Sequence, residues 1–136
     1  MTFKLIQAIK EHEGYRMFPY RCTANKLTIG YGFNLEDVGI SEEESELILK
    51  LRLQKLHNKL NELDWYAKQN QDRKDALIDM AYNLGYAGLL KFKNMIAALK
   101  IGDYESAAVE ALNSKWAAQV GKRANKIAHI LETGAF

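Results

Sequence analysis

Apolar residues recur at intervals of three and four along most of the chain, which is the spacing of one face of an α-helix. The first such stretch covers residues 3–12 and predicts a short amphipathic helix that Gly14 ends. Its apolar positions lie on one side: Phe3, Leu5, Ile6 and Ile9. The sequence therefore predicts one helix before the first glycine.

The pattern changes over residues 15–35, where β-branched and aromatic residues are separated by glycines. Two short strands, at residues 16–22 and 26–33, would form a hairpin with its turn at residues 23–25. Pro19 has no N–H to donate, which favours an edge strand or a bend.

Gly30 and Gly32 alternate within the second predicted strand. A strand that lacks side chains at such positions is typical of a place where another group approaches the backbone closely. We therefore expect a close contact at this strand.

A second helix has a clear start. Ser41 and Glu44 form a capping box, in which each side chain accepts a hydrogen bond from the other residue's backbone N–H. Leucines at spacings of four and three continue the helix to about residue 63, a length of roughly 33 Å. They are Leu49, Leu53, Leu56, Leu60 and Leu63. A helix of this length with so narrow an apolar stripe is typical of a connection between two lobes.

The rest of the chain is predicted to be helical, with Asp103 as an N-cap and glycines at 85, 102 and 134 as stops. The expected helices lie near residues 72–84, 89–100, 103–113 and 121–132. The predicted fold class is α+β and mainly helical, with two lobes. They are a small N-terminal β-hairpin lobe at about residues 1–40, a long connecting helix at about 41–63 and a helical C-terminal lobe at about 64–136. A cleft between such lobes is the expected binding site.

Composition narrows the class of protein. A chain of 136 residues with 48% hydrophobic and 26% charged residues is typical of one globular domain and not of a disordered chain. Its one cysteine, Cys22, excludes an internal disulfide, and no metal or cofactor is expected because His and Cys are not clustered at ligand spacing. Neither a membrane anchor nor a secretion signal is predicted, because the chain has no apolar run of the required length.

Charge is nearly balanced, with 19 basic and 17 acidic residues. Residues 113–131 nevertheless contain Lys115, Lys122, Arg123 and Lys126 and no acidic residue. Such a segment would suit an anionic polymer or a membrane, and it is equally typical of a solvated helix face.

Three residues near the junction of the first helix and the hairpin are spaced by nine and six positions: Glu13, Cys22 and Thr28. Each of them alone indicates little. With Gly14 after the glutamate and the run T-I-G-Y-G at residues 28–32, they resemble the phage-type lysozymes, also called endolysins or glycoside hydrolase family 24. That family has a Glu, an acidic residue nine positions later and a Thr six further on. The similarity continues at residues 83–85, 92–94, 102–108 and 114–124.

This resemblance implies one lysozyme domain over residues 1–136. It also implies a muramidase that hydrolyses the β-1,4 bond between N-acetylmuramic acid and N-acetylglucosamine in peptidoglycan. Glu13 would be the acid that protonates the leaving oxygen, which requires a desolvated site. Thr28 would hold the attacking water, and Arg123 would support Glu13 as its ion-pair partner.

Cys22 departs from the common pattern of the family, because most members have Asp at that position. Some phage members also have Cys there. A thiol with the usual pKa of about 8.5 is mostly neutral at pH 7. Cys22 can therefore act as a base, or as the counter-ion of a positively charged sugar ring, only if its pKa is lowered. Arg16 and Arg21 are close in sequence and are the expected cause. Activation of water by Cys22 is our first interpretation, and attack of its thiolate on the sugar carbon is the alternative.

The resemblance also implies substrate contacts at Asn34, Tyr82 and Asn83. Tyr82 would stack on a sugar and Asn83 would bind it through its amide. A structural role for both, Tyr82 in the core and Asn83 at a helix end, is an equally good interpretation. Phe33 stands where the family commonly has His, so a buried His–carboxylate pair is not expected there.

The expected partner is bacterial peptidoglycan, with no nucleic acid, no stable membrane anchor and a monomeric protein. The chain would accumulate in the host cytoplasm until a separate pore-forming protein gives it access to the wall. Two alternatives remain: a membrane-active or nucleic-acid-binding helical protein that acts through residues 113–131, and a protein that binds the wall without cleaving it.

Overall fold

The chain begins with one helix, α1 (Phe3–Glu13), in the computed structural model, which describes residues 1–136. The Thr2 hydroxyl accepts a hydrogen bond from the Leu5 N–H at 3.3 Å and caps its start. Gly14, with φ +69°, ends the helix, and its N–H donates to the Lys10 carbonyl. The predicted first helix is confirmed.

A three-stranded antiparallel sheet follows, in the order β1 (Arg16–Arg21), β2 (Leu27–Gly30), β3 (Phe33–Asn34). The predicted hairpin is confirmed, but the second predicted strand is two strands. Gly30 and Gly32 have φ values of +67° and +75°, so the chain turns back between them. Only glycine adopts such angles without strain, and this is why the long strand predicted for residues 26–33 breaks.

The first strand lies at the edge of the sheet, as Pro19 predicts. Arg16 pairs with Gly30 and Tyr20 pairs with Thr28, so the register shifts in between, around the proline. The turn that joins β1 to β2 lies at residues 23–25, as expected.

The helix α2 (Glu42–Leu60) begins at the predicted capping box. The Glu44 N–H donates to the Ser41 hydroxyl at 3.1 Å, and the Ser41 N–H donates to the Glu44 carboxylate at 3.0 Å. The helix ends three residues earlier than predicted, in a turn closed by the Leu63 N–H and the Leu60 carbonyl. Leu60 is fully buried and Leu49 is 39% exposed, so the leucine stripe is buried at its C-terminal end only.

Seven further helices complete the chain. They are α3 (Asp64–Ala67), α4 (Gln71–Leu84), α5 (Tyr86–Leu90), α6 (Lys93–Lys100), α7 (Tyr104–Leu112), α8 (Lys115–Val120) and α9 (Lys122–Thr133). The predicted helices near 72–84, 103–113 and 121–132 are confirmed. The single helix predicted at 89–100 is wrong, because Phe92 has ψ +62° and separates α5 from α6. The short helices α3 and α8 were not predicted.

The hydrophobic core is formed by residues of α2 to α9. Its largest fully buried side chains are Leu60, Tyr66, Leu77, Met80, Leu89, Met95, Ile127, Ile130 and Leu131. Arg73 attaches the C-terminal end of α9 to this core, because its guanidinium donates to the Leu131 carbonyl at 2.8 Å and stacks on the Tyr104 ring at 3.3 Å. Ile127, Ile130 and Leu131 of α9 are themselves core residues, so the apolar face of this helix is buried within the protein.

The chain divides into two compact units, Met1–Ile48 and Leu49–Phe136, and the division falls within α2. The predicted fold class, α+β and mainly helical, is confirmed. The lobe boundaries at about residues 40 and 64 stay a prediction. No helix combines the length and the apolar character that crossing a membrane requires.

Candidate active site

Glu13 is the last residue of α1, and its side chain is exposed. It lies directly against the turn between β2 and β3. A Cβ atom built on Gly32 would overlap the Glu13 carboxylate, with the carboxyl carbon 2.6 Å away. The close approach expected at the glycines therefore exists, and the group that approaches Gly32 is the predicted acid.

Gly30 has a different neighbour. A Cβ at this position would be 2.7 Å from two ring carbons of Phe33, so the phenyl ring lies over the glycine. Phe33 is 57% exposed. It is the residue at the position where the resemblance leads one to expect a buried histidine.

Cys22 and Thr28 lie together at the start of β2. Thr28 is buried, and its hydroxyl donates to the Lys26 carbonyl at 2.8 Å, so its oxygen keeps lone pairs that can accept a hydrogen bond. The Cys22 N–H donates to the same Lys26 carbonyl at 3.0 Å, and the Cys22 carbonyl accepts from the Asn25 N–H at 2.8 Å. The backbone N–H groups of Ala24 and Lys26 in this tight turn lie against the half-buried thiol.

The pKa of the Cys22 thiol is lowered mainly by the backbone N–H of Lys26, then by that of Ala24. Hydrogen bonds to the charged form stabilise it, as in other backbone anion sites. The lowered pKa that the sequence required is therefore present, but the expected cause is wrong. Arg21 is paired with Glu36 at 2.7 Å, and the Arg16 guanidinium stacks on Tyr20 at 4.7 Å.

Asn34, a predicted saccharide contact, uses its amide within its own loop. Its carbonyl oxygen accepts from the N–H groups of Glu36 and Asp37 at 3.1 and 2.9 Å, and its NH₂ donates to the Asp37 carboxylate at 3.3 Å. One amide N–H remains for a ligand. A substrate contact at Asn34 therefore stays a prediction.

Tyr82 and Asn83 lie near the end of α4. Tyr82 is 47% exposed, which rules out the interpretation of Tyr82 as a core residue. It lines a groove of about 870 Å³ in the second unit, together with Leu53 and Ile78. Its stacking on a sugar stays a prediction.

The amide of exposed Asn83 is held in one orientation by Trp116, which the sequence did not single out. The indole N–H of Trp116 donates to the Asn83 carbonyl oxygen at 2.7 Å, so the NH₂ group is the free end. Trp116 is itself buried and packs edge-on against the Phe92 ring. Asn83 therefore offers two N–H donors to a ligand, and the hydrogen bond from Trp116 already sets the orientation of its amide.

Arg123 has a carboxylate partner in its own unit. Its guanidinium donates to the Asp79 side chain at 2.8 Å and to the Asp79 carbonyl at 3.1 Å. The pairing of Arg123 with Glu13 stays a prediction. No three His, Cys, Asp or Glu side chains converge as metal ligands would.

An Asn83→Ala variant should raise KM for soluble peptidoglycan fragments by about 5- to 10-fold with kcat unchanged, because each lost hydrogen bond to substrate costs about 1 kcal/mol in both ground and transition states. Trp116→Phe keeps an aromatic ring but frees the Asn83 amide, so a smaller rise in KM is expected. Reducing-end assays over a range of fragment concentrations measure both constants. An unchanged KM for Asn83→Ala would exclude Asn83 as a contact.

Comparison with known proteins identifies the family. The family model described as phage lysozyme matches residues 10–129. An endolysin of Acyrthosiphon pisum secondary endosymbiont phage 1 is 32% identical, over 85% of this chain and 80% of the relative. A probable T4-type lysozyme 2 of Dictyostelium discoideum is 25% identical over 98% of this chain and 96% of the relative. An endolysin of Bacillus phage B103 is 36% identical over 86% of this chain but only 45% of the relative.

The matched region contains Glu13, Cys22, Thr28, Asn83 and Arg123. It also contains the whole sheet and all helices from α2 to α8. The family resemblance inferred from the spacing of the first three residues is thereby confirmed. The chain belongs to the phage lysozyme family of glycoside hydrolases, enzymes whose substrate is peptidoglycan.

Proposed function

We propose that this protein is a muramidase that hydrolyses the β-1,4 bond between N-acetylmuramic acid and N-acetylglucosamine in bacterial peptidoglycan and so lyses a host cell. The observation that carries the proposal is that strand β2 and the turn after it lie against both the Cys22 thiol and the Glu13 carboxylate. The thiol lies at Thr28 and the Glu13 carboxylate lies at Gly32. These two backbone positions are four residues apart, at most about 14 Å.

Glu13 acts as the general acid. It gives its proton to the glycosidic oxygen while the bond from that oxygen to the sugar C1 breaks, and positive charge develops on the ring. Because the carboxyl is exposed, the bound saccharide has to exclude water from it during the reaction. The close contact with Gly32 limits the positions that the carboxyl can occupy.

Cys22 and Thr28 act on the water. The Thr28 oxygen accepts a hydrogen bond from one water proton, since its own proton is donated to the Lys26 carbonyl. The Cys22 thiolate takes the other proton as the water oxygen forms its bond to C1. The products are a new hydroxyl at C1, a thiol at Cys22 and a carboxylate at Glu13, and exchange with solvent restores both groups.

The lowered pKa of Cys22 favours the thiolate more than in an ordinary cysteine. A thiolate is also a nucleophile, so direct attack on C1 with a covalent thioglycoside intermediate is the alternative for the same residue. Water attack inverts the configuration at C1, whereas the covalent route retains it. The anomeric configuration of the product, read by NMR before mutarotation, distinguishes the two.

The proposal extends to the partner and the location. The substrate is a wall polymer, and the chain would act as a monomer that a separate pore-forming protein releases from the host cytoplasm. A reducing cytoplasm would also keep the Cys22 thiol free until release.

A membrane-active role for residues 113–131 has little support. The apolar side chains of this segment are core residues, among them Trp116, Ile127, Ile130 and Leu131. Arg123 is paired with Asp79, and Lys126 lies 5.7 Å from the Phe136 ring. An interfacial helix needs a free apolar face, and this one is already buried.

The decisive experiment is incubation of the protein with purified peptidoglycan, followed by mass spectrometry of the released fragments. We expect new reducing ends that carry N-acetylmuramic acid. Reducing ends that carry N-acetylglucosamine would assign a different glycosidase specificity. Binding without new reducing ends, or release of dye from phosphatidylglycerol vesicles in their place, would contradict the proposal.

A further inference from the structure

Gly32, in the turn between β2 and β3, has the Glu13 side chain as its close neighbour. The three atoms nearest to a Cβ built on Gly32 all belong to Glu13, namely Oε2, Cδ and Cγ. Real Cβ atoms essentially never come within 3.0 Å of such neighbours, and here the carboxyl carbon would be at 2.6 Å. Any side chain at position 32 must therefore displace the Glu13 carboxyl.

Side-chain contacts also join the same turn to the end of α1 that carries Glu13. The Tyr31 ring lies 5.6 Å from the Tyr15 ring, measured between centroids, and the Lys10 ammonium lies 5.3 Å from the centroid of Tyr31. Lys10 belongs to the last turn of α1, and Tyr15 follows the helix by two residues. Aromatic pairs and cation–π contacts of this kind stabilise a local arrangement.

We propose that Gly32 and Tyr31 are positioning residues for the Glu13 carboxyl: Tyr31 holds the end of α1 on the turn, and Gly32 leaves the space that the carboxyl occupies. The inference rests on the proposed function, since Glu13 is the acid there. It adds two residues that touch neither the sugar nor the water and act through Glu13 alone.

Gly39 provides a matched control for the backbone. Its φ is +69°, close to the +75° of Gly32, but a Cβ at Gly39 would have nothing within 4 Å. Alanine at either position is strained by the positive φ to a similar degree. Only at position 32 does it also push on Glu13, so the comparison separates strain from displacement.

We expect Gly32→Ala to lower kcat about 100-fold, with KM changed by less than about twofold, because small displacements of a catalytic group cost rate more than affinity. Gly39→Ala should lower Tm by a similar amount and leave kcat within about twofold. A kcat for Gly39→Ala that falls as far as that for Gly32→Ala would overturn the proposal.

Tyr31 is tested by the pair Tyr31→Phe and Tyr31→Ala. The phenylalanine keeps the ring contacts with Tyr15 and Lys10, so kcat should stay within about twofold of wild type. The alanine removes them, and kcat should fall about 10-fold at unchanged KM. Equal kcat values for the two variants would remove Tyr31 from the proposal.

A second readout does not depend on catalysis. The side-chain carboxyl ¹³C signal of Glu13, assigned by its loss in Glu13→Gln, should shift in Gly32→Ala and keep its position in Gly39→Ala. If wild type proves inactive on peptidoglycan but this signal still shifts, the proposed function fails and the positioning role stands. If the signal is the same in all three proteins, Gly32 does not position Glu13.

Discussion

A Glu13→Gln variant is expected to lose about 10²- to 10⁴-fold of kcat on peptidoglycan, because the amide cannot donate the proton that the leaving oxygen needs. The substitution keeps the size of the side chain, so its fit against Gly32 is preserved. The rate of reducing-end release, measured with purified peptidoglycan, gives the result directly.

Glu11→Gln is the matched control for this variant. Glu11 is an exposed glutamate on the same helix, two residues before Glu13, so its substitution removes an equal charge from α1. Its kcat should stay within about twofold of wild type. Clearing of outer-membrane-permeabilised cells by Glu13→Gln at the wild-type rate would show that lysis does not use glycosidase chemistry.

Cys22→Ser is expected to lose at least about 10²-fold of kcat, whereas Cys22→Asp should retain much of the activity. A serine hydroxyl does not ionise in the working pH range, so it cannot take the proton from water. An aspartate is ionised there and restores the residue type that most of the family has. Iodoacetamide should inactivate wild type and leave Cys22→Asp unaffected, since alkylation removes the thiolate.

The pH dependence follows from the direction of the pKa shift. Backbone N–H groups lower the pKa of Cys22, so the active thiolate forms at lower pH than in an ordinary thiol. Activity should therefore rise with pH through a midpoint below that of an unperturbed thiol. In Cys22→Asp the rise should move to still lower pH, because an aspartate ordinarily titrates near 3.9. Cys22 would be excluded as the base if Cys22→Ser kept the wild-type kcat, or if activity rose with pH over the same range in Cys22→Asp as in wild type.

Local signals predicted much of the fold. The capping box at Ser41 and Glu44, the glycines that end α1, α4 and α9, and the hairpin with its edge proline all appear where the sequence places them. Each of these depends on contacts within a few residues. Elements shorter than two turns were missed, because six residues carry too little periodicity to show an apolar face. Ser114, whose hydroxyl accepts from the Ala117 N–H, was the available signal for α8.

The sequence predicted which residues form the candidate site but not which groups those residues contact. The resemblance to the phage-type lysozymes selected Glu13, Cys22 and Thr28, because their spacing and the flanking glycine motifs match that family. The source of the lowered thiol pKa was wrong, since the direction of a backbone N–H cannot be read from side-chain charges. Trp116 was missed because it reaches Asn83 across 33 residues of sequence.

The sequence by itself determined most of the helices and the hairpin, because these follow from local pattern, and its resemblance to a known family indicated the three residues expected to do chemistry. Only the tertiary structure decided that Gly32 makes room for the Glu13 carboxyl, that a turn of backbone N–H groups acts on Cys22, and that Arg123 pairs with Asp79. The reason is physical. Periodicity shows which face of one helix or strand a side chain occupies, but it carries no information about which distant segment that face contacts.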